Sequence, residues 1–243
     1  MQMDISAWIP YNPDIVLENT TKKFFGKYLY KLVVYCPAGR IIDGKKTIDD
    51  EFAHRQMVAN SMTHVWSSLR NRDLDKADLD FLNRMRTLRQ STFPGIKMRV
   101  EEPRVQIYAE TETQLRNIVT SYFQRSDYKY IEAITGPEDS DAEAILNSGA
   151  IIRKTDLGYT HKVILRDGRY GADLKKNVLD YLGGLGPNVI KLPKSGIEML
   201  CKPSGYIWNL YFYTNDPGIA TFINLINPGL VLNIHELVVA SNK

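Results

Sequence analysis

Lysine, arginine and tyrosine side chains alternate with aliphatic ones in several short segments of the first half of the chain. In "IKMRVEE", Lys97 and Arg99 alternate with aliphatic residues, as Arg104 and Tyr108 do in "RVQIYA". Because successive side chains of a strand point to opposite faces, the cations and tyrosines are expected to share one face. Such a face suits a single-stranded nucleic acid, since bases stack on aromatic rings while Lys and Arg contact phosphates. The predicted nucleic-acid-binding residues are Lys27, Lys31, Lys97, Arg99, Arg104, Tyr108, Tyr128 and Tyr130, with Tyr211 and Tyr213 in the second half.

The second half contributes the aromatic segment "SGYIWNLYFYTNDPG". Its composition predicts one strand over residues 206–213, with Trp208 and Phe212 in the core and Tyr211 and Tyr213 on the open face. The expected partner of both faces is a single-stranded nucleic acid, with RNA favoured and with weak sequence preference.

One segment has the spacing of a phosphate-binding loop. "GRIIDGKK", which begins at Gly39, matches GxxxxGK between a predicted strand and a predicted helix. The next position is Lys46, where that motif needs a Ser or Thr hydroxyl to hold magnesium, so we interpret the segment as a polar loop. The acidic residues at 138–143 lack calcium-loop spacing and favour a helix start instead. No metal site and no cofactor is predicted.

The 4 histidines do not form a recognisable catalytic motif. His54 and His64 lie in one predicted helix without the spacing of paired metal ligands. His161 and His235 lie in strands that would pair, so folding could bring them together. No nucleophile lies beside a base in a known pattern, and no catalytic residue is predicted.

The amino-acid composition is typical of a globular protein. The chain has 243 residues, of which 44% are apolar and 24% charged, and its net charge of +3 is only mildly basic. There is no apolar run long enough for a membrane span and no signal-peptide pattern at the N-terminus, so we expect a cytoplasmic protein. The only cysteines, Cys36 and Cys201, are expected to be free thiols.

Hydrophobic periodicity predicts the same element order in both halves. The first half has strands over 27–35, 96–102, 104–109 and 128–134, helices over 48–70 and 75–90 before the second strand, and a helix capped by Thr111 and Gln114. The second half has strands over 159–165, 188–192, 206–213 and 230–239, separated by helical segments. The predicted fold class is therefore α+β, with two tandem ferredoxin-like βαββαβ units.

The predicted domain organisation follows from this order. Residues 1–20 form an extended N-terminal arm and residues 21–135 the first ferredoxin-like unit, with a helical insertion at 48–90. Residues 136–150 form a linker helix and residues 151–243 the second ferredoxin-like unit.

Two alternative functions stay open. A structural or assembly protein would bind other subunits, or copies of itself, through its open sheet faces and through an arm carrying Trp8 and Tyr11. The tandem architecture is also similar to that of CRISPR RNA-processing endonucleases. However, "LINPGLVL" (residues 225–232) has a single glycine where that family has a glycine-rich loop. The resemblance implies RNA processing only as a second alternative and carries over no residue.

Overall fold

A computed structural model describes residues 5–61, 74–91, 93–203 and 205–240. The chain divides into two compact units, Met1–Glu143 (unit 1) and Ala144–Lys243 (unit 2). Each unit contains a five-stranded sheet with parallel and antiparallel pairs, together with helices. The predicted α+β class is therefore confirmed.

Unit 1 has its strands in the order β1-β5-β2-β4-β3, with β1 parallel to β5 and the other pairs antiparallel. The segments 96–102 and 104–109 pair as predicted. The strands are β1 (Val16–Asn19), β2 (Tyr30–Tyr35), β3 (Ile96–Glu101), β4 (Arg104–Ala109) and β5 (Ile131–Gly136). The helices are α1 (Ile48–Ser61), α2 (Lys76–Gln90) and α3 (Glu112–Tyr122), with 3-10 helices at Ile5–Ala7, Gly39–Asp43 and Arg125–Tyr130; α4 (Ser140–Asn147) spans the boundary between the units.

Local signals account for the helices of unit 1. The capping box of Thr111 and Gln114 starts α3, which buries Leu115, Ile118 and Val119 against the sheet. Asp75 caps α2 by accepting a hydrogen bond from the Asp78 N–H. The predicted continuation of α1 to residue 70 falls on residues 62–73, outside the described residues.

The predicted N-terminal arm belongs instead to unit 1 over its described part. Trp8 is fully buried, and its Nε1 donates to Glu112 Oε1 at 2.9 Å. Asn12 Nδ2 donates to the Ile131 carbonyl at 2.6 Å, and β1 extends the sheet beside β5. The physical reason is that burying an indole is most favourable when its rings leave water and its N–H still donates to an acceptor, as Trp8 does here.

Unit 2 has the sheet order β6-β12-β7-β11-β9 and a separate two-stranded ribbon formed by β8 and β10. Helices α5 (Ala172–Gly184), α6 (Lys194–Cys201) and α7 (Ile219–Ile226) contribute to its core together with the sheet. The strands are β6 (Ile151–Arg153), β7 (His161–Leu165), β8 (Gly168–Arg169), β9 (Ile190–Lys191), β10 (Tyr206–Ile207), β11 (Tyr211–Thr214) and β12 (Val231–Val239).

The two sheets share one strand order. In each unit, the first strand lies at one edge of the sheet and pairs in parallel with the last strand. The second strand pairs with the other side of that last strand, in antiparallel orientation. The edge strands β1 and β6 were missed by the sequence analysis because they are only 4 and 3 residues long. In the described part of the chain, no helix has the length and apolarity needed to cross a membrane.

Candidate nucleic-acid interface

The cations predicted on β2, β3 and β4 of unit 1 do lie on one face of the sheet. The register places Lys31 and Lys97 on either side of Tyr108, and Arg99 beside Gln106. Directly paired residues point to the same side of a sheet, so these side chains form adjacent rows. The rows of Leu32, Ile107 and Met98, which alternate with them, are buried on the other face.

Four of the predicted cations have carboxylate partners that the sequence analysis did not assign. Arg104 Nε lies 2.5 Å from Glu132 Oε2, and this hydrogen bond raises the pKa of Arg104. Arg99 Nη2 lies 2.7 Å from Glu101 Oε1. The remaining two pairs are Lys31 with Glu18 at 3.6 Å and Lys27 with Glu110 at 2.8 Å. A phosphate would have to compete with a carboxylate for each of these four groups.

Tyr128 and Tyr130 do not lie on the sheet face, which corrects the prediction. Both belong to the 3-10 helix Arg125–Tyr130, because Asp127 accepts the Gln124 N–H and holds the chain in a helical turn. Tyr130 is buried and stacks on Phe81 with 4.6 Å between ring centroids. Its hydroxyl donates to the Asp78 carboxylate, and burial together with this bond raises its pKa.

Tyr108 lies on the predicted face but is buried, which corrects its stacking role. The rings of Phe24, Phe25 and Tyr28 lie 4.9–6.2 Å from it, and its hydroxyl donates to Gln106. Burial raises the pKa of the Tyr108 phenol. A base therefore cannot reach this ring without displacing the rings around it.

Phe25 is the accessible aromatic residue at this end of the face. Its side chain is 50% exposed, and Lys97 Nζ lies 3.6 Å from its ring centroid. Lys97 is exposed and makes no ion pair with any described residue. The sequence analysis missed Phe25 because it lies in a turn, at φ +53°, and not in a strand. We name Phe24, Phe25, Tyr28, Tyr108 and Lys97 the Phe25 cluster.

Three arginines of α2, Arg84, Arg86 and Arg89, are engaged within unit 1. Arg84 forms two hydrogen bonds with the buried carboxylate of Asp127, at 2.9 and 2.7 Å. Arg86 donates to backbone carbonyls, and Arg89 donates to Asp43 and to a β3 carbonyl. Arg84 links α2 to the 3-10 helix Arg125–Tyr130, whereas Arg86 and Arg89 link it to the 3-10 helix Gly39–Asp43.

In unit 2, the predicted tyrosines pack against each other. Tyr213 is only 9% exposed, with Tyr211 at 5.4 Å and Tyr159 at 6.4 Å between ring centroids. Lys162 Nζ lies 3.8 Å from the centroid of the partly exposed Tyr211 ring. A ligand could therefore reach part of the Tyr211 ring, whereas the Tyr213 ring is largely covered.

The predicted strand over residues 206–213 is divided, which corrects the position of Trp208. Asn209 adopts φ +48° and its N–H donates to Asp167 Oδ1 at 2.7 Å, so the chain turns between β10 and β11. Phe212 lies in the core as predicted, but Trp208 is 59% exposed. Asn is one of the few residues that tolerate this backbone conformation.

The strand histidines do not form a pair. His161 is the register partner of Glu236 and His235 that of Lys162, which places the two rings on opposite faces of the sheet. His235 Nδ1 lies 2.8 Å from the Gly149 carbonyl. Within the described ranges, no group of three or more His, Cys, Asp or Glu residues could hold a metal ion.

The chain matches no protein-family model, and it has no significant match among curated proteins or solved structures. Function must therefore be argued from the geometry of these surfaces.

Proposed function

We propose that this protein binds single-stranded nucleic acid, with RNA favoured, at the Phe25 cluster on the open sheet face of unit 1. The observation that carries the proposal is the exposed Phe25 ring beside the ammonium group of Lys97, 3.6 Å away. A base can stack on an exposed aromatic ring whatever its identity, and a lysine beside it can contact the adjacent phosphate. Neither group distinguishes one base from another, so we expect weak sequence preference.

Lys97 is the best-placed phosphate ligand on this face. Its ammonium group can move from the Phe25 ring to a phosphate without breaking an ion pair. Arg99 and Arg104 would each lose a carboxylate partner. The open face thus supplies few net positive charges. Because the salt slope on a single strand is about 0.7 per phosphate contact, we expect a shallow salt dependence with a slope near 1.

Fluorescence anisotropy of labelled oligouridylate and oligothymidylate at several salt concentrations tests the proposal. Phe25→Ala should weaken binding by about 1–3 kcal/mol with little change in salt slope. Lys97→Met should reduce the slope by about 0.7. Phe93→Ala is the matched control, since Phe93 is also partly exposed but packs on Tyr122 of α3. The proposal fails if neither oligonucleotide binds at low salt, or if Phe25→Ala binds as tightly as the parent.

The fold behind this surface is, we infer, a tandem pair of ferredoxin-like units, each with one added edge strand. The orders β5-β2-β4-β3 and β12-β7-β11-β9 support this inference. In both, the first and third strands of the βαββαβ repeat are central, which leaves one sheet face for a ligand. An experimental structure with a different strand order in either unit would contradict it.

A second candidate function is self-association through unit 2. The observation that favours it is the exposure of large apolar side chains on α7 and β12: Phe222 is 57% exposed, Leu225 74%, Leu232 46% and Ile234 45%. Exposed apolar groups on neighbouring elements are typical of protein interfaces. Light scattering should then show a dimer or larger species that Leu225→Glu converts to a monomer. A parent protein that stays monomeric at high concentration would exclude this candidate.

A further inference from the structure

Tyr206 and Trp208 form an exposed pair of aromatic rings on unit 2, at the two-stranded ribbon that is separate from its five-stranded sheet. Their ring centroids are 4.2 Å apart with 33° between the planes. Tyr206 is 45% exposed and Trp208 59%. An exposed tryptophan packed against an exposed tyrosine leaves apolar surface in contact with solvent, and such surface often marks a binding site.

The ribbon of β8 and β10 holds this pair in a defined position. Ile207, which separates Tyr206 and Trp208 in sequence, is buried in the core and anchors β10. The turn after Trp208 is held by the hydrogen bond from the Asn209 N–H to Asp167. The pair is therefore held by the buried Ile207 and by the turn that follows Trp208.

Arg169 supplies a cation on the same face of the ribbon. It is the direct antiparallel partner of Tyr206, and directly paired side chains lie about 4.5–5.5 Å apart at Cβ on one face. Arg169 is exposed and makes no hydrogen bond or ion pair through its side chain with any described residue. The nearest carboxylate in sequence, Asp167, accepts the Asn209 N–H.

We propose that Tyr206, Trp208 and Arg169 form a second nucleic-acid site, which takes a base on the exposed Trp208 ring and the adjacent phosphate on Arg169. This inference rests on the proposed nucleic-acid binding and assigns a separate site on the other unit. Base stacking uses the exposed ring face, and an unpaired guanidinium matches a phosphate in charge and geometry.

Tryptophan emission on titration with short oligouridylate tests this site directly. The chain has 3 tryptophans, Trp8, Trp66 and Trp208, of which Trp8 is buried. Quenching that disappears in Trp208→Phe therefore reports stacking at Trp208 and not at either of the others. We expect quenching in the parent, about 5–150-fold weaker binding at this site in Trp208→Ala, and a salt slope reduced by about 0.7 in Arg169→Met. Phe25→Ala should keep the quenching, as should the control Phe222→Ala, which removes another exposed ring of unit 2.

The possible outcomes separate the two sites. If oligouridylate binds by anisotropy but neither quenches Trp208 nor loses affinity in Trp208→Ala, the second site is wrong and the proposed function stands. If no oligonucleotide binds at all, both fail. If Arg169→Met leaves the salt slope unchanged, the phosphate contact is wrong and the site as proposed is overturned. If Trp208→Ala changes only the oligomeric state in light scattering, the surface binds protein and the proposal is overturned.

Discussion

Replacing Trp8 with Ala should lower the free energy of unfolding of unit 1 by about 3–5 kcal/mol, the cost of deleting a large buried aromatic side chain. Trp8 is fully buried, and its Nε1 donates to the carboxylate of Glu112, which is itself only 4% exposed. The Nε of Arg116 lies farther from this carboxylate, at 3.9 Å. Removing the indole therefore creates a cavity and also leaves a buried carboxylate oxygen without its close donor.

Trp8→Phe separates these two contributions. It keeps an aromatic ring in the site but removes the N–H donor, and a hydrogen bond to a charged group is worth about 1.5–3 kcal/mol. If Trp8→Phe loses stability in that range, the difference between the Trp8→Ala and Trp8→Phe losses is the contribution of packing. At about 2–4 °C per kcal/mol for a unit of this size, Trp8→Ala should melt about 10 °C below the parent.

Urea unfolding followed by circular dichroism measures the loss, and hydrogen exchange by mass spectrometry assigns it to unit 1. Trp208→Ala is the matched control: Trp208 is 59% exposed, so its removal should change stability by no more than about 0.5 kcal/mol. If Trp8→Ala is as stable as the parent, the N-terminal segment is not part of unit 1 and the packing described above is wrong.

Arg84→Met should destabilise unit 1 by about 3–5 kcal/mol in the same urea assay, because it leaves the buried carboxylate of Asp127 without its bidentate partner. Cys36 is buried, and burial raises the pKa of its thiol to about 12. A thiol reagent at pH 8 should therefore modify only the exposed Cys201 in the native protein and both cysteines after denaturation. Burial, with smaller effects of two nearby glutamates, raises the pKa of Tyr30 from 10.0 to about 12. The stability linked to this neutral phenol is complete below pH 10 and is lost toward pH 12, so Tyr30→Phe should show a smaller alkaline loss in pH-dependent unfolding.

The sequence analysis predicted elements correctly where a local signal exists. The capping box at Thr111 and the period-2 alternation of β3 and β4 each act within a few residues, so they can be recognised without knowledge of the fold. The short strands β1 and β6 have no such signal. They depend on a neighbouring strand that lies far away in sequence, β5 for β1 and β12 for β6.

The candidate sites were predicted only in part for the same reason. Alternation correctly placed Lys97 on the open face of unit 1, but it could not show that Tyr108 would be covered by the turn that carries Phe25. It also treated the segment around Trp208 as continuous strand, because the positive φ of Asn209 is stabilised by Asp167, 42 residues earlier.

The sequence by itself determined the α+β class and, in β3 and β4, the face on which each side chain lies, because these follow from periodicity and from short-range capping. Tertiary structure alone decided which of those side chains a ligand can reach. Arg104 is paired with Glu132 across the sheet and Tyr130 is stacked beneath α2, whereas Phe25 and Trp208 remain exposed. Accessibility and charge pairing depend on contacts between distant segments, and no local pattern in the chain encodes them.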